Sequence, residues 1–416
     1  MTGTLDPTSG RKTQAPPLSK LEEWLGALCR HGEIGALLSR PPEEQLRLGY
    51  GHTLREIAQQ PVTWLETSAR LRGERPPLAE CLRDVQAVVF TGSGSSVYAA
   101  ECVAPWLQAV TDLPTSAVPA GDILTHPESC LPPSGRFLVV SVARSGDSPE
   151  SRAAVDWLLE SRPQARHLFV TCNRAGALAT AYRNRGNVRA VVLDDRTNDR
   201  SLVMTSSFTN LVLAARALGG GAQDEEERRR RLAQAGAELL RDHADALATV
   251  ARGGYSSVVF LGSGCRLGSA HEAALKMLET NAGEVWTMAE SFLGLRHGPM
   301  SAIRRDTLVV AFLSSDPQVR AYELDLLAEL DRKGLGCGRV VLGAGLPPGT
   351  GPLRIDCAAA ASCDDGEMAV LDAICAQLLA FFRCLHAGHR PDAPSESSVI
   401  TRVVSDFQIH ARSGGR

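Results

Sequence analysis

Two apolar runs, Val85 to Phe90 and Phe137 to Val142, each stop at a turn crowded with glycine and serine. Each is followed by apolar residues at three- and four-residue spacing. This change of period marks a buried strand that feeds a loop and then a helix. The first strand runs into Thr91-Gly92-Ser93-Gly94-Ser95-Ser96, with a helix predicted from Val97 to Gln108. The second runs into Arg144-Ser145-Gly146-Asp147-Ser148, with a helix predicted from Ser151 to Glu160. Further strands are expected at His167 to Thr171 and Val188 to Leu193, each preceded by helical spacing; such alternation predicts an α/β fold on a parallel sheet. Upstream, Leu21, Trp24, Leu25 and Leu28, then Leu54, Ile57, Ala58, Trp64 and Leu65, recur at helical spacing. Residues 18–80 therefore form a helical segment, which includes a helix from His52 that Pro61 ends.

The pattern occurs twice. Val89-Phe90-Thr91-Gly92-Ser93-Gly94 and Val259-Phe260-Leu261-Gly262-Ser263-Gly264 match at a shift of 170 residues, and the same shift lays Ser141 to Ser145 over Ala311 to Ser315. Two strand ends agreeing on one offset imply internal duplication. The predicted organisation is a disordered tail at 1–17, the helical segment at 18–80 and a first unit at 81–220. A solvated helical connector at 221–250, a second unit at 251–390 and a C-terminal tail at 391–416 follow.

Composition narrows the function. A net charge of −3 over 416 residues gives no electrostatic case for nucleic acid. No signal-type apolar core opens the chain and no apolar run reaches membrane-spanning length, so no membrane partner and a cytoplasmic location are expected. The 11 cysteines are scattered without a CxxC pair, which predicts reduced thiols and no structural metal.

Candidate chemistry lies at the turns. Arg144, Ser145 and Ser148 bring guanidinium and hydroxyl donors together at a helix start, and Ser93, Gly94, Ser95 and Ser96 do so at the other turn; both suit a phosphate monoester. A Ser- and Asp-rich junction can equally be a helix cap. Val97 stands where the dinucleotide fingerprint GxGxxG needs its third glycine, which argues against that cofactor. Hydroxyls gather again before a helix at Thr205 and Ser206. In the second unit, Lys276 and Glu279 lie three apart on one helical face, the spacing of an ordinary surface pair or of two groups reaching one ligand. His297 sits in a turn, seven residues after Glu290, which is two helical turns if the segment is helical and would let Glu290 orient the site.

Taken in order, HTLREIAQQP (52–61), GSGSS (92–96), ARSGDSPES (143–151), MTSSFTN (204–210), ALKMLE (274–279), LRHGP (295–299) and ITRVVSDFQIH (400–410) resemble a sugar isomerase (SIS) domain protein with two SIS units. They are most similar to the AgaS family of amino-sugar-phosphate isomerases and deaminases. The resemblance implies two parallel five-stranded sheets flanked by helices, with a sugar phosphate held on Ser95, Ser96, Ser145 and Ser148. It implies that Glu279 moves a proton between carbons 1 and 2 of the open-chain sugar. His297, contributed by the neighbouring subunit in relatives, would open the ring. It also implies a homodimer or higher homo-oligomer with shared active sites. Proton transfer alpha to a carbonyl needs neither metal nor redox cofactor, and none is expected.

Departures refine the reading. Ala143 and Arg144 replace a serine and an amide residue of the related glucosamine-6-phosphate synthase. The chain's lysines are Lys12, Lys20, Lys276 and Lys333, so no tail lysine serves as the synthase's does, although Arg402 can still close the site. With no glutaminase segment, the degradative direction is favoured: galactosamine 6-phosphate to tagatose 6-phosphate and ammonia. Plain aldose-ketose isomerisation, or non-catalytic sensing of a sugar phosphate, are the alternatives. Retention of both Glu279 and His297 favours catalysis.

Overall fold

The computed structural model describes residues 18–220, 225–395, 399–404 and 408–410. The expected tail at 1–17 lies outside them. Six helices between Leu21 and Cys81 form the N-terminal segment, and Trp24, Leu28, Leu54, Ile57 and Trp64 are its buried face. Pro61 does not simply end a helix. The helix Gly51–Ala58 stops and a second, Gln60–Arg72, starts with Pro61 in its first turn, where a missing N–H costs nothing.

The first sheet contains β1 (Ala87–Gly92), β2 (Thr115–Pro119), β3 (Phe137–Ala143), β4 (Arg166–Thr171) and β5 (Val188–Val192). All are parallel, in the order β2-β1-β3-β4-β5. The second contains β6 (Ser257–Leu261), β7 (Trp286–Glu290), β8 (Thr307–Phe312), β9 (Gly338–Gly343) and β10 (Leu353–Asp356), in the order β10-β9-β8-β6-β7. Read from β7, the second order repeats the first strand for strand. The duplication is thus carried by topology as well as sequence.

All seven residues of β3 and all six of β8 are buried, as central parallel strands covered on both faces must be. The edge strands β2 and β7 are partly exposed and mixed in polarity, which is why hydropathy alone passes over them. The stretch expected to be one helix from Val97 is two, Ser95–Glu101 and Ala104–Thr111, the second opening on Pro105.

The connector is less solvated than its charge suggests. In the helix Glu225–Glu238, Leu232, Ala233, Ala235 and Ala237 are buried, and Arg229 pairs with Glu367 at 3.2 Å inside the protein. The helix Asp365–His386 is long and apolar enough to cross a membrane, but 89% of its apolar window is buried, and it packs along the helix Cys265–Thr280 as a core helix. That second helix crosses Ser95–Glu101 at Gly268, where a Cβ would stand 2.7 Å from the Cys102 backbone nitrogen. This close crossing brings the glycine-serine turn of the first unit against the Lys276 face of the second.

Candidate active site

In a parallel sheet the order reverses between β1 and β3, and ligands bind at the carboxyl ends of strands at such a switch point. Both hydroxyl-rich turns emerge there. Gly94 closes the first with φ +55°, a left-handed conformation that side chains other than glycine adopt only under strain, and Gly264 repeats it at +55° in the second unit. Ser148 opens the helix Pro149–Ser161, with Pro149 in its first turn. The Ser148 hydroxyl donates to Ser151 at 2.8 Å, and Ser151 Oγ lies 3.3 Å from Ser93 Oγ, so a chain of hydroxyls joins the two turns. Ser151 was not singled out in the sequence as a site residue.

These turns line a cavity of about 220 Å³. Ser93, Gly94, Ser95, Ser96, Arg144, Ser145 and Ser148 come from the first unit, Lys276 and Glu279 from the second, and Arg402 from the C-terminal segment. Residues scattered over three parts of the chain therefore meet.

Beneath them is a group that sequence reading missed. Glu272 is fully buried, with its Oε1 at 3.5 Å from Lys276 Nζ, and Lys276 in turn bonds Glu279. Glu272, Lys276 and Glu279 lie four and three apart on one helical face, which is the signal that could have found Glu272. Burial raises the Glu272 carboxyl to about 7 against the pull of Lys276. For Lys276, burial lowers the pKa, but Glu272 and Glu279 more than offset it, and the net shift is upward. Lys276 is accordingly a fixed cation in the cavity wall, bonded to a Glu279 carboxylate that remains partly accessible.

Two segments form the outer wall: Leu202-Val203-Met204, and the strap Ile400 to Val404. Arg144 is turned to them. It donates to the carbonyls of Leu202 at 3.0 Å and Arg402 at 2.7 Å. Arg402 donates to the Asp199 carbonyl and, at 2.8 Å, to Asn198 Oδ1. Both arginines thus anchor the wall through their guanidinium groups.

Thr205 and Ser206 do not join the cavity. They lie buried behind it, where the Thr205 N–H donates to Asp199 at 2.7 Å and the Ser206 hydroxyl to the same carboxylate. The helical spacing suggested around Glu290 is instead the end of strand β7, and the Glu290 carboxylate accepts from the Ser291 N–H at 2.7 Å. His297 is exposed and outside the cavity of its own chain.

The equivalent place in the second unit is filled by the protein. Arg266 stands where the first unit has Ser96, is fully buried and pairs with Asp372. The Ser314 N–H donates to Glu323 at 2.7 Å, and the Ser315 N–H to Asp365 at 2.6 Å. Carboxylates of the protein itself thus occupy the backbone donors of this turn.

Two duplicated parallel units sharing one hydroxyl-lined cavity, with a carboxylate and a lysine contributed across the junction, define a double sugar isomerase domain protein. No family model matches the chain. Among curated proteins it is 35% identical over 368 residues to the D-galactosamine-6-phosphate deaminase AgaS of Escherichia coli O157:H7, covering 86% of this chain and 95% of that one. It is 31% identical over 388 residues to the protein of the same name from Shewanella sp. strain ANA-3, covering 91% and 96%. The crystal structure of tagatose-6-phosphate ketose/aldose isomerase from Escherichia coli superposes with a TM-score of 0.80 at 33% identity, covering 87% of this chain and 97% of that one. The chain belongs to the AgaS family.

Proposed function

We propose that the protein deaminates galactosamine 6-phosphate, with water, to tagatose 6-phosphate and ammonia. The observation that carries this reading is the meeting, in one cavity, of the Ser93–Ser96 and Ser145–Ser148 hydroxyls with the Lys276–Glu279 pair. The names of the relatives, deaminase and ketose/aldose isomerase, support it.

The hydroxyls hold the phosphate and set the open-chain sugar's carbons 1 and 2 toward Glu279. Glu279 removes the proton from carbon 2 and the electron pair moves toward carbon 1, giving an enolamine. Lys276 orients the carboxylate and supplies positive charge beside the oxygen that gains electron density. Return of the proton at carbon 1 gives a ketimine at carbon 2, and water replaces its nitrogen to leave the ketose and ammonia.

We assign ring opening to His297 of a second copy, in a cytoplasmic homo-oligomer. Support comes from the exposure of His297 and of three large apolar side chains of the same unit, Leu278, Trp286 and Leu293, which are 41–48% exposed. An oligomer that covered these side chains would also remove apolar surface from water.

The test is ammonia and ketose formation by the purified protein from galactosamine 6-phosphate, beside glucosamine 6-phosphate and tagatose 6-phosphate. Equal amounts of ammonia and ketose from the galacto sugar are expected. Ketose-aldose interconversion without ammonia would leave a plain isomerase, and saturable binding without product a sensor.

A further inference from the structure

The motif HTLREIAQQP carried the family likeness but no role. In the structure its helix, Gly51–Ala58, contributes no residue to the cavity lining, yet it holds the loop that forms one side of the outer wall. Glu56 is 6% exposed, and its carboxyl accepts from the Arg200 N–H and bonds the Ser201 hydroxyl. At the helix start, Thr53 donates to Asp392 from its N–H at 2.7 Å and from its hydroxyl at 2.8 Å. The Asp392 carbonyl accepts the Leu202 N–H at 3.1 Å. Gln59 donates to the Arg196 carbonyl at 2.8 Å and to Ser206 Oγ at 2.9 Å.

The loop these bonds hold, residues 196–207, does two things. Its Leu202, Val203 and Met204 line the cavity, and its carbonyls at 199 and 202 receive Arg402 and Arg144, which fix the strap. Across the loop from Glu56, Asp199 accepts the N–H groups of Thr205 at 2.7 Å and Ser207 at 2.8 Å. The shape of the outer wall therefore depends on two carboxyl groups that do not line the cavity.

We propose that Glu56 is a positioning residue for sugar-phosphate binding, acting through the 199–207 loop and the strap it anchors. The proposal rests on the reading that this cavity holds the substrate. The hydroxyl geometry specifies the form in which Glu56 works. Ser201 Oγ lies within bonding distance of both Glu56 and the Val203 carbonyl, at 3.1 Å from the latter, but it has one proton. A protonated Glu56 donates to Ser201, which then donates to Val203, and every group is satisfied. Burial and the neighbouring Asp199 raise the Glu56 carboxyl to about 8, in keeping with that arrangement. Glutamine, which donates from an amide in the same place, is then the conservative replacement, and alanine is not.

The experiment compares the parent with Glu56→Gln, Glu56→Ala and Ser201→Ala in steady-state ammonia release from galactosamine 6-phosphate. Amide hydrogen exchange of the ligand-free proteins is measured alongside. Loss of the bonds to the loop should raise KM by about tenfold or more for Glu56→Ala and about threefold for Ser201→Ala, with kcat within about threefold, and Glu56→Gln should stay near the parent. Exchange should quicken in 199–207 and 399–404 in the alanine variant while β8 keeps its protection. A parent-like KM for both alanine variants would overturn the proposal, and so would equal behaviour of glutamine and alanine at position 56. If Glu56→Ala loses β8 protection and does not fold, Ser201→Ala and Glu56→Gln decide. If the parent forms no ammonia, the deaminase reading fails by itself, and exchange in 199–207 and 399–404 still decides the role of Glu56.

Discussion

Replacing Glu272 with glutamine should make the protein more stable at pH 8 than at pH 5, relative to the parent, while lowering turnover. Glu272 is fully buried and its carboxyl is raised from 4.5 to about 7. A raised acid binds its proton more tightly folded than unfolded. Its contribution to stability is complete below about pH 4.5 and is lost as pH rises through about 7. A shift of this size corresponds to about 3 kcal/mol, at about 1.4 kcal/mol for each pKa unit. Glutamine keeps the shape and an acceptor for Lys276 but exchanges no proton. The stability difference, variant minus parent, should therefore become more favourable by up to about 3 kcal/mol between pH 5 and pH 8, a shift of several degrees in Tm. Titrating groups distant from Glu272 cancel in that difference. The assay is thermal unfolding of both proteins at pH 5, 6, 7 and 8. Parallel curves would refute the reasoning, because they would mean that Glu272 does not titrate across this range in the folded protein. Turnover should fall in the same variant, since Lys276 loses one of the two carboxylates between which it is held. A buried acid that costs stability at neutral pH is then explained by what it does for the lysine.

Three further outcomes are expected. Glu279→Gln should retain sugar-phosphate affinity and lose about a hundredfold or more in kcat, measured by ammonia release, as removal of a proton-transfer group does. The double change Ser145→Ala and Ser148→Ala should instead raise KM and weaken inorganic phosphate binding in titration calorimetry, by about 1 kcal/mol or more for each lost hydroxyl bond to a charged ligand. On the proposed shared site, His297→Asn and Glu279→Gln proteins should each be inactive alone, and mixing the two should restore part of the activity. No recovery on mixing would remove His297 from the neighbour's site.

Much of the fold is legible in local pattern. The uninterrupted apolar runs that became β1, β3, β6 and β8 are recognisable because central parallel strands bury both faces, and the serine-containing turns after them stand at the switch point of each sheet. The edge strands Thr115–Pro119 and Trp286–Glu290 are not recognisable in this way, because a half-exposed strand has no continuous apolar run to read. The same limit applied to Glu290, whose spacing from His297 fits a helix only while the strand is unseen.

By itself, then, the sequence determined the two strand-turn-helix units, their duplication, and the hydroxyls and acid-base residues that could serve a sugar phosphate. Only the tertiary structure decided which of them do so together. The crossing at Gly268 sets the Lys276 face of one unit against the serine turn of the other, while Arg266, Glu323 and Asp365 fill the second unit's equivalent turn. Thr205 and Ser206 turn inward to Asp199, and the partners of the buried Glu272 and Glu56 are set only by the fold. The physical reason is that periodicity along a chain reports which residues are buried. Which donor a buried carboxylate meets is fixed by contacts between residues more than a hundred positions apart, Glu56 with Ser201 and Arg266 with Asp372 among them.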